Sequence, residues 1–263
     1  VRLWDVSDPE RPRSLGEPLN GGNGTVYLLA FTPDSRTLAT ANEDMTARLW
    51  DVTDPAAPRR LGEPLGRHTG QVRAVAFNRD GTLLATAGDD GTAVLFDVRD
   101  RQRPVPVGEP ITGFDNTVHS VAFSPDNRLL VAGSEDHTVQ LFDVADPAAP
   151  RLVGRPLTDH TEGVWSVAFS PDGRVLASAG GDGTTRLWNV TDPAHPIALG
   201  RPLTGRNGIV YAVAFSPDGR TLATGSLDSV VRLWSLPHGV LVGHSARTTG
   251  PRFTPDDHHL VSG

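Results

Sequence analysis

Two aromatic series run through the chain in step. Trp4, Trp50, Phe96, Phe142, Trp188 and Trp234 stand 46 residues apart, inside RLWDV, RLWDV, LFDV, LFDV, RLWNV and RLWSL. Phe31, Phe77, Phe123, Phe169 and Phe215 recur at the same interval within AFTPD, AFNRD and three copies of AFSPD. A sixth member, RFTPD with Phe253, arrives eight residues early. A fixed period of this length marks a repeat architecture, in which each unit buries its faces on its neighbours.

Inside each repeat the local signals are those of strands. Runs such as VWSVAF, VLASAG and TTRLWNV are separated by turn residues, and no apolar stripe of period 3.6 is sustained. SPDG between the first two runs fits a type I turn, with proline's fixed φ at its second position and glycine closing it. GDG before TTRLWNV supplies a second turn. The fourth run carries LGEPL or VGRPL, with Pro18, Pro64, Pro110, Pro156 and Pro202 in one fixed place. Proline cannot donate to a ladder, so this strand is expected at a sheet edge. Each unit is then a four-stranded antiparallel sheet, and the copies stack about a common axis with the VAF-type strand innermost. A loop of the DPAAPR kind joins the third and fourth strands, its two prolines favouring extended backbone. Its absence accounts for the eight residues missing from the last repeat, SLPHGVLVGHS.

Composition narrows the function classes. The 263 residues include no cysteine, which excludes disulfides and thiolate metal sites. A net charge of -7, with every basic residue an arginine, gives no electrostatic footprint for a nucleic-acid backbone. No apolar run approaches the about 20 residues of a membrane helix. The start, VRLWDVSDPE, has no signal core, so the expected compartment is the cytoplasm. Abundant Ala, Gly, Pro, Val, Asp and Arg point to GC-rich coding and a bacterial source.

RLWDV endings, FSPDG after the first strand, Asp six before Trp and His nine before Phe together resemble the WD-repeat (WD40) β-propeller family, over essentially the whole of residues 1–263. The propeller regions of larger bacterial WD-repeat regulatory proteins are similar. The resemblance implies an all-β propeller: five complete blades plus a sixth composite blade from the two termini, or an open arc of a larger ring. The composite would draw His244 and Ser262 from one end and Trp4 from the other, and the mid-repeat ends lead us to expect a fragment of a longer protein. The family's interior hydrogen-bond set, carried over residue by residue, is complete in one copy: His160, Ser178, Asp182 and Trp188. Asp44, Asp90, Asp136, Asp182 and Asp228 share one phase, and catalysis rarely needs five copies, so this acid is read as structural. His68 and Thr86 accompany Phe96, while Gly22 and Arg206 replace the histidine in the Trp50 and Trp234 copies. The third copy has Phe114, Ala132 and Phe142, leaving Asp136 to be held by backbone N–H groups or water and making this blade the least well tied.

Function is expected at the positions that vary. Four residues before each inner Phe stand Tyr27, Arg73, His119, Trp165 and Tyr211, and just before each turn Asp stand Glu43, Asp89, Glu135, Gly181 and Leu227. The resemblance places both sets at one mouth of the central channel. Aromatic and Arg side chains suit a peptide-binding surface, and the three acids favour a basic segment. The implied role is a non-catalytic scaffold or sensor for a protein or peptide partner, serving a signalling or effector domain outside these residues, with no cofactor. The alternative is a propeller hydrolase using Glu43, Asp89 or Glu135 at the channel mouth. No GxxxxGK[ST], GxSxG or HExxH motif is present. No metal site is expected: His258 and His259 would point to opposite sides of a strand, and His195 and His238 lack ligand-spaced partners.

Overall fold

The computed structural model describes residues 1–19, 24–205 and 208–236, and the backbone of 252–253 and 260–261. Among these residues all regular structure is strand. Four successive antiparallel sheets have the expected meander. The first blade comprises Val26–Phe31, Thr37–Asn42, Ala47–Asp51 and Arg59–Leu65, and the second Val72–Phe77, Leu83–Gly88, Ala93–Asp97 and Val105–Ile111. The third comprises Val118–Phe123, Leu129–Ser134, Val139–Asp143 and Arg151–Leu157. In the fourth, Val164–Phe169, Val175–Gly180 and Thr184–Asn189 are followed by an edge strand split into Ile197–Ala198 and Leu203–Thr204. The fifth shows Val210–Phe215, Thr221–Ser226 and Val231–Ser235, its remaining segment lying outside the described residues.

The repeat period fixes the register. Phe31 faces Leu38 and Leu38 faces Trp50, as Phe169 faces Leu176 and Leu176 faces Trp188. The turn between the first two strands closes through Gly173 N–H to the Ser170 carbonyl at 2.8 Å, with Gly173 at φ +71. The central leucines Leu38, Leu84, Leu130, Leu176 and Leu222 are fully buried. Each contributes roughly 1.5–3 kcal/mol by leaving water. The core lies between blades: Leu141, Val153 and Leu157 of the third pack on Leu176, Trp188 and Val190 of the fourth.

The terminal segments form two further pairs, Leu3–Asp5 with Arg13–Leu15 and Arg252–Phe253 with Leu260–Val261. Each has the register of half a blade: Trp4 faces Ser14 as Trp50 faces Arg60, and Phe253 faces Leu260 as Phe31 faces Leu38. Among the described residues the two pairs are separate sheets. The side chains of His244 and Ser262, expected in a composite blade, lie outside the described residues. Leu28, Leu29 and Phe31 of the first blade and Val231 and Leu233 of the fifth are exposed.

The proline-bearing strands of the first three blades lie at sheet edges and are bulged, while that of the fourth is split. Between the Leu61–Leu49 and Leu65–Ala47 pairs, the edge strand spends more residues than its neighbour, beginning at Gly62 with φ +60. The bulge seats the next blade's linker. A Cβ on Gly16, Gly62, Gly108 or Gly154 would stand 2.2, 2.5, 2.6 or 2.6 Å from the carbonyl oxygen of Ala56, Gln102, Ala148 or Ala194. These linkers are compact turns and not the extended segments their prolines led us to expect. The Asp54 carboxylate accepts from the Ala56 N–H at 3.0 Å and its carbonyl from the Ala57 N–H at 3.0 Å, and the pattern repeats at Asp100, Asp146 and Asp192. An aspartate that bonds its own backbone two residues on outweighs proline's extended preference.

Candidate functional site

Two kinds of side-chain cluster recur from blade to blade, one interior and one at the start of the inner strands. In the interior of the fourth blade, Trp188 Nε1–H donates to Ser178 Oγ at 3.0 Å, and Ser178 Oγ lies 2.8 Å from His160 Nε2. His160 Nδ1 is 3.0 Å from Asp182 Oδ2. A neutral imidazole, donating from Nδ1 and accepting at Nε2, satisfies every member of this relay. Burial, which outweighs the nearby Asp182 charge, holds the His160 pKa below its usual value and favours that neutral form. Burial alone would raise Asp182; the Thr184 hydroxyl and amide and the His160 ring together bring it below 3.8. The second blade repeats the set without an indole: His68 lies 3.0 Å from Asp90 and 2.8 Å from Thr86 Oγ1, beside buried Phe96.

In the first and fifth blades, where the sequence lacks the histidine, an arginine supplies the missing hydrogen-bond donor. Arg48 pairs with Asp44, Nη1 donating at 3.1 Å, and Arg232 donates to Asp228 at 3.2 and 2.5 Å. Trp50 and Trp234 still donate to Thr40 and Thr224, at 3.4 and 3.0 Å. Gly22 and Arg206, which stand at the histidine's place in the repeat, lie outside the described residues. The available signal for this exchange was the arginine of RLW together with the missing histidine, since Arg186 holds the same place in the fourth blade beside His160. In the third blade Phe114 and Phe142 fill the space, ring centroids 5.9 Å apart. Asp136 there accepts from the Asp115 N–H at 3.0 Å, the Thr138 N–H at 2.9 Å and the Thr138 hydroxyl at 2.7 Å. Apolar packing thus replaces the relay in this blade, and Asp136 is held chiefly by backbone N–H groups.

The titrations predict acid sensitivity. His160 and His119 sit below the usual histidine value of 6.5 because burial disfavours their charged forms. Below that pH the unfolded chain binds more protons than the folded one, so stability is full above it and declines as pH falls. Asp182 and Asp90 sit below 3.8 and add a second decline as they are protonated. The thermal midpoint should be level above about pH 7 and fall steadily toward about pH 4. His160→Gln should lower the midpoint but flatten its slope in that range. A midpoint that rises on acidification would rule out the neutral relay.

At the start of the inner strands, the five variable residues form one arc. Arg73 lies over the Tyr27 ring, 4.1 Å from its centroid, and Tyr27 Oη donates to Gln71 Oε1 at 2.7 Å. His119 stacks on Trp165 with centroids 4.1 Å apart, and Trp165 meets Tyr211 edge-on at 5.3 Å. The inner strands of adjacent blades are neighbours, which places these side chains in sequence. The acids are drawn into the same arc. Arg73 donates twice to Asp89, at 2.6 and 2.8 Å, and His119 Nε2 is 2.9 Å from Glu135. Glu43 accepts from the Thr25 N–H at 2.6 Å, which holds its pKa below the usual carboxylate value. Thr117, which the sequence did not single out, donates to Asp89 at 3.3 Å.

Where the first three blades carry an acid, the fourth has Gly181. A Cβ there would come within 3.5 Å of Trp165 Nε1, so the absence of a side chain leaves room beside the indole N–H. Leu227 and Tyr211 are exposed at the end of the arc. Of the remaining histidines, His195 bonds Asp192 at the surface at 3.0 Å, while His238, His258 and His259 lie outside the described residues. No helix among the described residues is long and apolar enough to cross a membrane.

A family model described as WD domain, G-beta repeat matches residues 14–51, 61–97, 106–143, 152–189 and 199–235, well over half of the chain. The search of curated proteins returned no match.

Proposed function

Since the chain belongs to the WD-repeat family, whose repeats generally mediate protein–protein interaction and whose domains are typically non-catalytic scaffolds, we propose that its inner-strand arc binds a peptide segment of a protein partner. The observation that carries this reading is the continuity of the arc. Arg73 on Tyr27 and His119 on Trp165 on Tyr211 make rigid aromatic and cationic surfaces side by side on successive blades. Such side chains dominate interface energies because they bury large area at small entropic cost. The Trp165 indole N–H supplies a donor for a peptide carbonyl. Glu43 and Glu135 favour a basic flank, whereas Asp89 is neutralised by Arg73. In this reading the platform serves a signalling or effector module in the cytoplasm.

The hydrolase alternative draws less support from the same geometry. Both oxygens of Asp89 accept from Arg73, while Glu135 and Glu43 accept from His119 and Thr25, hydrogen bonds that stabilise the carboxylates and lower their basicity toward water.

Capture from a bacterial lysate, with crosslinks mapped to the arc, tests the proposal. A variant carrying Tyr27→Ala, Trp165→Ala and Tyr211→Ala should unfold cooperatively and retain less than about one tenth of the captured partner. Equal capture by variant and parent would refute the assignment. Turnover of esters or glycosides that requires Glu43, Asp89 or Glu135 would favour the hydrolase instead.

A further inference from the structure

His119 ties two blades of the inner-strand arc together. Its ring stacks on Trp165 of the fourth blade, with centroids 4.1 Å apart and planes inclined by 18°, while Nε2 lies 2.9 Å from Glu135 Oε2 on its own blade. The two members of this pair are exposed unequally. Only 11% of the His119 side chain is open to water against 40% of Glu135, so an approaching ligand meets the carboxylate before the ring. Glu135 is also held in place: a Cβ on Gly163 would stand 2.2 Å from its Oε2, which puts the carboxylate directly on the backbone that leads into the fourth blade. The remaining charges that act on the ring come from the second blade. Arg73 opposes its protonation and Asp89 favours it, and these two are bonded to each other at 2.6 and 2.8 Å. Their fields largely cancel at His119, and Trp165 carries no charge, so Glu135 is the decisive partner.

We propose that the His119–Glu135 pair gates the arc by pH, presenting a negative charge to a basic segment while the ring is neutral and cancelling that charge once the ring is protonated. This rests on the peptide-binding reading of the arc and adds its regulation. With a neutral ring, Nε2–H donates to Glu135, and the carboxylate keeps its charge for an Arg or Lys of the partner. A proton arriving from solvent goes to Nδ1, since Nε2 already bears one, and the imidazolium then neutralises Glu135 where it lies. Burial disfavours the charged ring more than Glu135 favours it, so the change falls below the usual histidine value of 6.5. A basic ligand seated at Glu135 opposes the incoming proton, and by reciprocity the proton weakens the ligand. Acidification therefore releases a basic partner from the arc.

The test uses the full chain and a labelled peptide ARARA, followed by fluorescence polarisation up to about 1 mM at low ionic strength, at about pH 7.5 and about pH 5.5. The Kd should rise about three- to tenfold at the lower pH, the effect of one charge cancelled at short range. Near-ultraviolet circular dichroism should be the same at both values, which separates release from unfolding. His119→Gln and Glu135→Gln should each bring the ratio of the two Kd values close to one. His137→Gln, at an exposed position of the turn that follows Glu135, should keep the parent's ratio. Four outcomes would overturn the proposal: equal affinity at both values, tighter binding at the lower one, a ratio indifferent to His119→Gln, or no binding at about pH 7.5. A partner captured through Tyr27, Trp165 and Tyr211 yet retained equally at both values would likewise overturn the gate, while leaving the peptide-binding assignment standing. Failure of the two readings is thus distinguishable.

Discussion

Ser178→Ala should destabilise the protein by about 2–4 kcal/mol, a large effect for the loss of one oxygen atom. The hydroxyl is buried, accepts from the Trp188 indole and lies 2.8 Å from His160 Nε2. Its removal strands a donor and an acceptor together, each costing about 1–3 kcal/mol when left unpaired away from water. The third blade shows how the cost is avoided. There the same positions hold Phe114, Ala132 and Phe142, and among the described residues no buried side-chain polar atom of that blade lacks a partner. Combining His160→Phe, Ser178→Ala and Trp188→Phe should therefore recover most of the loss, with Asp182 still held by the Thr161 N–H and by the Thr184 N–H and hydroxyl. Urea unfolding of the single and triple variants measures the coupling. A triple variant no more stable than Ser178→Ala would refute the view of the relay as one unit.

Gly154→Ala and Gly200→Ala should separate by about 1–3 kcal/mol despite identical chemistry. Both glycines lie in the left-handed region, so the backbone penalty of about 1–2 kcal/mol is common to both. At Gly154 the added methyl would stand 2.6 Å from the Ala194 carbonyl oxygen and 3.1 Å from its carbon, all backbone, and relief requires the fourth blade's linker to move. We expect an additional loss of about 1–3 kcal/mol there and none at Gly200, where nothing among the described residues stands within 4 Å. Differential scanning calorimetry of the two variants isolates the contact from the strain. Equal midpoints would show that the seated linker contributes nothing to blade association.

Reading the sequence alone recovers the strands because their information is local and periodic. An aromatic every 46 residues, turns at SPDG and GDG, and a proline in each edge strand determine register and order, and the Phe–Leu–Trp pairing follows from that spacing. The histidine relay is legible for the same reason, since its members keep fixed offsets within one repeat. The arginine substitution at Asp44 and Asp228 was written in RLW, yet only the folded geometry assigns its charge to that carboxylate.

Contacts between different blades follow no such rule. Neither the composition of the linkers nor their prolines reveal that a carbonyl rests on a glycine 40 positions earlier, as Ala56 rests on Gly16. The same limit applies to the arc. The sequence places Asp89 among the acids awaiting a basic partner, but Arg73 lies across the sheet within 2.6 Å and neutralises it. Period and turn chemistry are short-range properties that the chain carries in its order of residues. Which charges cancel depends on distances across a sheet and which surfaces are covered on distances across blades, and both exist only once the strands have paired and the sheets have stacked.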